Sequence, residues 1–348
     1  MSWQLDILRE MLELYSPTGS EDQVSSFLVD LFRSEGLEAY KDEAGNFIGI
    51  VGKGQPEIML LGHIDTVPGK IPVREEDGKL YGRGAVDAKG PMAAFVCAAI
   101  QAKRQGGVNA TLKVVGAVGE EGDSRGARYL VKNHLPEYLI IGEPSGWDSI
   151  VLGYKGSMHV HYVLNKSMSH SAGPERSAAE EALDFWNHVV EFCRELNQEK
   201  RVFDQLSPSL RSINTYSDGF ISTVEMDINF RLPLAYSPDD LGQRLRDFAE
   251  KGKVSILYGD PAFKANKNTP LVRAFMQSLR SVGVTPRFKV KTGTSDMNVV
   301  APEWRCPAIA YGPGDSSLDH TPEEHIYISE YEKSIDILVK ALKYLEEA

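Results

Sequence analysis

Four short polar segments carry the residue types best suited to chemistry: LLGHIDT (60–66), GRGAVDAKG (82–90), GAVGEEGD (116–123) and IIGEPS (140–145). Each belongs to the end of an apolar, strand-like run, and in an open parallel sheet ligands bind at the carboxyl ends of strands. His63 and Asp65 are two residues apart, so an extended backbone turns both side chains the same way. Glu120 and Glu121 are adjacent, point differently, and suit two unlike jobs. Asp87 lies in a glycine-flanked loop, Glu143 caps another strand, and His320 stands in LDHTPEEH near the C-terminus. Imidazole and carboxylate together (His63, Asp87, Glu121, Glu143, His320) suit a borderline divalent metal such as Zn2+. Clustered carboxylates with no cation would repel one another and protonate. With two ions present, one carboxylate can bridge and the others can terminate each ion. Taken singly, a glutamate at a strand end is usually solvated and a histidine usually a satisfied core residue. Set at successive strand ends, they point jointly to a metal centre.

The elements that must position these groups show a regular rhythm. Residues 4–16 read as a helix, followed by a second from 20 to 35, with Ser20 as N-cap, Gln23 completing a capping box and Gly36 as the stop. Apolar runs at 47–51, 58–61, 112–118 and 138–141 read as strands, and GPMAAFVCAAIQAKRQGG reads as a helix between the second and third. Near-continuous apolar strands separated by helices predict a parallel sheet buried on both faces. After Gly156 the pattern changes. MHVHYVL (158–164) largely alternates, then come an amphipathic helix at 177–196, extended stretches at 209–216 and 222–232, a helix at 238–251 and a strand at 254–258. That β-α-β-β-α-β order is ferredoxin-like. From about Phe263 the first rhythm resumes, with a helix at 270–282, strands at 286–291 and 307–311, and a closing helix at 329–346. The predicted fold class is α/β. A mostly parallel-sheet domain with helices on both faces (1–155 and 264–348) is interrupted by an inserted α+β ferredoxin-like lid domain (156–263).

Composition narrows the function classes. Across 348 residues, 38 Lys and Arg face 49 Asp and Glu, a formal charge of −11. Nucleic-acid binding calls for the opposite excess, because phosphate contacts need cations. Apolar runs along the whole chain exclude disorder. Cys97, Cys193 and Cys306 form neither a disulfide framework nor a C-x-x-C pair. The first sixteen residues lack a basic region before an apolar core, and no run approaches roughly 18 apolar residues. The expectation is a cytoplasmic protein with no membrane span.

HIDTVP, GRGAVDAKGPMAA, GEEGDSRGAR, GEPS and DHTPEEHI resemble the motifs of the dinuclear zinc amidohydrolases and exopeptidases, a group that includes succinyl-diaminopimelate desuccinylase, acetylornithine deacetylase, aminoacylase and the glutamate-releasing carboxypeptidases. The resemblance spans essentially the whole chain, inserted domain included. It implies two Zn2+ per subunit (Co2+ being an alternative with the same ligands), with His63 and Glu143 on one, Glu121 and His320 on the other, and Asp87 as the bridge. It implies that Asp65 orients His63 and that Glu120 is the general base, taking a proton from the attacking water and delivering it to the leaving amine. His170, in SMSHSAGPE, resembles a lid histidine that donates to the oxyanion, reaching a partner subunit's site across a homodimer formed by the inserted domain. Asn214 in SINTYSDG and Arg231 in INFRLP resemble residues that grip a substrate carboxylate, and Gly293, Thr294 and Ser295 in GTSDMN resemble a substrate-contacting loop.

DAKGP in place of the commoner D-M-K-G-G, together with GHIDTVPG, NFRLP and the short chain, is similar to hydrolases that release lysine or ornithine from the terminal glutamate of an amino-group carrier protein. Such a carrier is small and acidic, and RFKVKT would supply a basic strand face from Arg287, Lys289 and Lys291 to receive it. Two other enzyme readings stand beside this one: a deacylase of small N-acyl amino acids (acetylornithine, acetyllysine or succinyl-diaminopimelate) and a dipeptidase-like exopeptidase. A non-catalytic metal- or partner-binding relative is the reading from another class, and the intact Glu120 with its ligand set argues against it.

Overall fold

The computed structural model describes residues 2–170 and 172–346. The chain forms two compact units. The larger comprises residues 1–153, 265–289 and 295–348, and the smaller comprises 154–264 and 290–294.

The larger unit is built on a sheet in the order Glu38–Lys41, Phe47–Val51, Thr111–Ala117, Glu57–His63, Tyr138–Gly142, Ala308–Ala310, Ser149–Tyr154. The four central strands run parallel, as expected. Phe47–Val51 does not. It pairs antiparallel with both of its neighbours. No helix separates it from Glu57–His63, so the crossover that imposes parallel pairing is missing there. The second helix is Asp22–Ser34 and has no side-chain cap; the expected capping box from Ser20 is not formed. Glu21 takes the N-cap position instead, and its carboxylate accepts from the Gly19 N–H and from Arg125. A three-stranded sheet, His325–Tyr327 with Lys79–Tyr81 and Arg74–Glu76, is too short and polar to read from periodicity.

The helix Lys89–Arg104 runs through the core, with Met92 and Phe95 fully buried. Each such side chain contributes on the order of 1.5–3 kcal/mol. Glycines on the strands make room for them. A Cβ on Gly62 would sit 3.2 Å from Met92 Sδ, and one on Gly142 would sit 2.8 Å from Phe95 Cε2. Gly62 is in register with both Gly116 and Gly142. The helix therefore packs closest against the carboxyl ends of the three strands, one residue before His63 and Glu143.

The smaller unit has the sheet order Ser207–Ser217, Ile221–Leu232, Gly156–Ser167, Lys253–Asp260, all antiparallel. The helices Ala178–Leu196 and Pro238–Phe248 share a separate core with it, in which Tyr162 stacks on Phe185 at 4.1 Å. This is the expected ferredoxin-like order.

Candidate metal centre

His63 is the last residue of the strand Glu57–His63 and is buried. Its Nδ1 donates to the Asp65 carbonyl at 3.0 Å, which leaves the Nε2 lone pair for a cation. Nε2 is turned to Asp87 Oδ1 at 3.1 Å and to Glu143 Oε1 at 3.9 Å. Glu143 follows the strand Tyr138–Gly142 directly. Asp87 precedes the core helix and joins Ala88 through a cis peptide. Its other oxygen, Oδ2, lies 3.1 Å from His320 Nε2, which is also 2.9 Å from Glu121 Oε1.

Two triads thus form, His63–Asp87–Glu143 and Asp87–Glu121–His320, each with its ligand atoms within 4.8 Å of one another. They share Asp87, one oxygen facing each histidine. Each triad offers one imidazole and two carboxylates, a donor set that fits a borderline divalent cation, and a shared carboxylate fits a bridge.

Electrostatics sets these acids apart from ordinary surface carboxylates. Burial, with the neighbouring Asp87 charge, pushes Glu143 well above its usual range. Burial also raises Glu120 strongly, helped by Glu143, Asp296 and Glu121. Glu121 is raised by burial and by Asp87. Asp87 moves the other way: burial opposes ionisation, but bonds from His320 and His63 outweigh it. His320 is lifted to about 9, chiefly by Asp87. Burial disfavours the charged form of His63, yet its bonds to Asp65 and Asp87 raise it well above the ordinary imidazole value. The cluster holds charges that only cations or protons can neutralise.

Asp65 meets His63 through two groups: its carbonyl accepts from Nδ1 at 3.0 Å and its carboxylate Oδ1 lies 3.5 Å from the same nitrogen. The carboxylate also accepts the backbone N–H groups of Glu120 and Glu121, both at 3.1 Å, and the Thr18 hydroxyl at 2.7 Å. Thr18 arrives because residues 16–18 run beside 64–66: Thr66 N donates to the Ser16 carbonyl and Thr18 N to the Thr66 carbonyl. The Glu120–Glu121 turn opens at Gly119, whose φ of +77° is a left-handed conformation that favours glycine. The Glu120 carboxyl itself accepts no hydrogen bond among the described residues.

Of the remaining sequence candidates, His170, Asn214, Arg231, Gly293 and Thr294 belong to the smaller unit, and Ser295 to the larger. His170 is exposed and its Nδ1 accepts from the Ala172 N–H at 3.1 Å. Asn214 is exposed on the strand Ser207–Ser217. Arg231 donates to the Thr294 hydroxyl. The Ser295 hydroxyl caps the helix Asp296–Trp304, accepting from the Met297 N–H at 3.3 Å. The expected basic strand Arg287–Lys291 is partly occupied by its own chain. Arg287 pairs with Asp148 at 2.5 Å and Lys289 donates to the Ser145 carbonyl at 2.6 Å. Sequence reasoning missed Thr18 and Asp296. Asp296 stands inside the GTSDMN segment but is buried, with Oδ1 unpartnered, and burial lifts it to about 7. Among the described residues no helix is long and apolar enough to cross a membrane.

The profile of "Peptidase family M20/M25/M40" matches residues 59–344, which include every member of both triads. The chain belongs to that family. A Deinococcus radiodurans [LysW]-lysine hydrolase is 39% identical over 348 residues, covering 98% of this chain and 96% of its own. A Thermococcus kodakarensis protein is 44% identical over 347 residues (99% and 93%) and carries the provisional name of a [LysW]-lysine/[LysW]-ornithine hydrolase. Among solved structures, aminopeptidase PepT of Bacillus cereus superposes with a TM-score of 0.81 at 20% identity, covering 98% of each chain, which shows a shared fold.

Proposed function

We propose that this protein is a metal-dependent amide hydrolase that releases lysine, ornithine or both from the terminal glutamate of a small acidic amino-group carrier protein, as the last step of lysine or arginine biosynthesis. The reading is supported by full-length identity of about two fifths to the named relatives, together with two triads that share Asp87. In it, His63 and Glu143 hold one Zn2+, Glu121 and His320 the other, and Asp87 bridges; Co2+ suits the same donors. Bound divalent ions polarise the scissile carbonyl and acidify the attacking water.

The chain's own groups do the rest. Glu120 is the base. Its carboxyl accepts no donor among the described residues and its proton affinity is raised by burial, so it takes a proton from water and returns it to the leaving amine. Asp65 holds the turn that aims Glu120 and Glu121 apart. His170 accepts at Nδ1, so its neutral ring carries the proton on Nε2, a donor for the developing oxyanion. Arg231, Asn214, Gly293, Thr294 and Ser295 receive the amino acid's carboxylate, with the planar fork of Arg231 making the bidentate contact.

We assign residues 1–155 and 264–348 to catalysis and 156–263 to a lid that also dimerises. The strand Ser207–Ser217 is an edge of its sheet and exposes Ile213 and Tyr216, and such an edge is a template for a second copy. Three free cysteines fit a reducing cytoplasm.

The deciding experiment presents the zinc-loaded enzyme with the lysine–carrier conjugate, acetylornithine, acetyllysine, succinyl-diaminopimelate and dipeptides. The conjugate should lead in kcat/KM by at least about tenfold, or 1.4 kcal/mol of discrimination. Preference for a small substrate would overturn the carrier assignment.

A further inference from the structure

Glu324 is a fully buried carboxylate that none of the roles above uses. A buried charge persists only where hydrogen bonds replace its lost water. Those of Glu324 converge on one loop. Oε1 accepts the N–H groups of Gly84 at 3.1 Å, Val86 at 2.9 Å and Asp87 at 3.1 Å. Oε2 accepts from Arg83 Nη1 at 2.8 Å, and the Glu324 carbonyl accepts from the Gly82 N–H at 3.3 Å. Arg83 is itself held, through Nε, by the Gly69 carbonyl at 2.9 Å.

The loop has little freedom besides. Gly84 has φ +89°, and a Cβ there would lie 2.9 Å from Thr66 Cγ2. Just past Asp87, buried Lys89 donates to the carbonyls of Met11 at 3.0 Å and Leu14 at 2.6 Å. On the last residue that Glu324 holds, the Asp87 carboxylate reaches both histidines.

We infer that Glu324 is the positioning residue for the shared ligand Asp87. Its carboxylate gathers the N–H groups of Gly84, Val86 and Asp87 so that Oδ1 of Asp87 meets His63 and Oδ2 meets His320. Glu324 lies four residues after His320, so one short segment delivers a ligand of one triad and the anchor of the ligand common to both. The two triads are thereby set together. A plain structural staple would need only the Arg83–Glu324 pair, yet three of the four side-chain bonds go to loop amides. This inference rests on the dinuclear reading of the site.

The test is metal binding by the full-length protein, read by competition with a chelator for Zn2+ and by the visible absorption of the Co2+-loaded form. Glu324→Gln keeps the shape but removes the charge and sets an N–H2 group against either the loop amides or Arg83, both of which are donors. It should bind both ions about 10–100-fold more weakly, the usual cost of losing a ligand's outer support, and its Co2+ spectrum should shift. Glu324→Asp keeps the charge but withdraws it by a methylene; it should weaken binding too, and it decides the matter if the Gln variant does not fold. Leu338→Ala, a core truncation in the helix Ile328–Glu346, controls for lost stability and should leave metal affinity unchanged. Wild-type affinity and spectrum in folded Glu324→Gln or Glu324→Asp, with Asp87→Asn losing metal, would overturn the inference alone. Two tightly bound ions in Asp87→Asn would overturn the dinuclear reading beneath it.

Discussion

Replacing Asp65 by Asn tests how the general base is aimed. The buried carboxylate accepts three bonds: from the Thr18 hydroxyl at 2.7 Å and from the Glu120 and Glu121 N–H groups at 3.1 Å each. Asparagine keeps one acceptor oxygen, so at least one backbone N–H must face the new amide N–H. A bond to a charged acceptor is worth about 1.5–3 kcal/mol, and an orphaned buried donor costs about 1–3 kcal/mol. A stability loss of about 2–4 kcal/mol follows from those ranges. Thr18→Val removes one bond without orphaning an N–H, so it should cost less than half as much. The catalytic effect is separate. A turn displaced by about 1 Å costs on the order of 100-fold in kcat, or 2.7 kcal/mol in the barrier. KM should change less than about threefold, because no substrate contact is lost. Thermal melting, metal content and steady-state kinetics on the carrier conjugate measure the three effects. Asp65→Asn that melts at the wild-type temperature and keeps kcat within about threefold would refute the claim that Asp65 holds the turn.

Glu120→Gln should retain both metals and lose about 10^3-fold or more in kcat, the span of general acid–base catalysis; metal analysis beside single-turnover rates checks it. His63→Ala should fall below two ions per chain after dialysis, and a full complement would refute the ligand assignment. His170→Ala should lose about 10^2–10^3-fold in kcat as an oxyanion donor. If His170 acts across a dimer, an equal mixture of His170→Ala and Glu120→Gln chains should recover about a quarter of wild-type activity, since half the random dimers hold one complete site. No recovery after subunit exchange would place His170 in its own chain's site. Chelated protein should melt lower at pH 8.5 than at pH 6. Asp296, raised by burial to about 7, keeps its proton in the folded state above the pH at which the unfolded chain loses it, so its contribution falls as pH rises toward 7. His320, raised to about 9 chiefly by Asp87, stabilises below its unfolded value and loses that contribution as pH rises through 9. Both act in the same direction, and Asp296→Asn should reduce the difference.

Much of this was legible in the residues. Alternation against continuous apolar runs separated the inserted ferredoxin-like unit from the parallel sheet, because one face of its strands is wet and both faces of the central strands are buried. His63, Glu121 and Glu143 are legible from residue type and strand-end position, since those strands are in register and deliver their ends together, whereas Asp87 and His320 are legible from residue type and their motifs. Direction was not legible at Phe47–Val51, where a five-residue link rather than a helix joins the next strand. The Ser20 capping box is not formed because a long-range bond from Arg125, with a local one from the Gly19 N–H, holds Glu21 at the position. Thr18 and Glu324 carry no local signal. Their partners are 47 and up to 241 residues away, and nothing in a short window marks them.

Buried carboxylates in this protein divide by what donates to them. Asp65 receives two backbone N–H groups and a hydroxyl, and those bonds with His63 outweigh burial and hold it below the ordinary carboxylate range. Glu324 receives three N–H groups and a guanidinium. Both charges are spent on the protein itself and fix the loops that carry Glu120, Glu121 and Asp87. Among the described residues Glu120 has no side-chain donor and Glu143 has only the distant His63 at 3.9 Å, and both are pushed strongly upward by burial. Such groups favour a proton or a cation, since few protein donors stabilise their charge. The two sets are the same chemical type and meet at one turn, where the Asp65 carboxylate accepts the backbone N–H groups of Glu120 and Glu121. What separates a scaffold acid from a reactive one here is the count of N–H groups aimed at it. That count predicts where a Gln or Asn substitution should damage folding first and where it should damage only turnover.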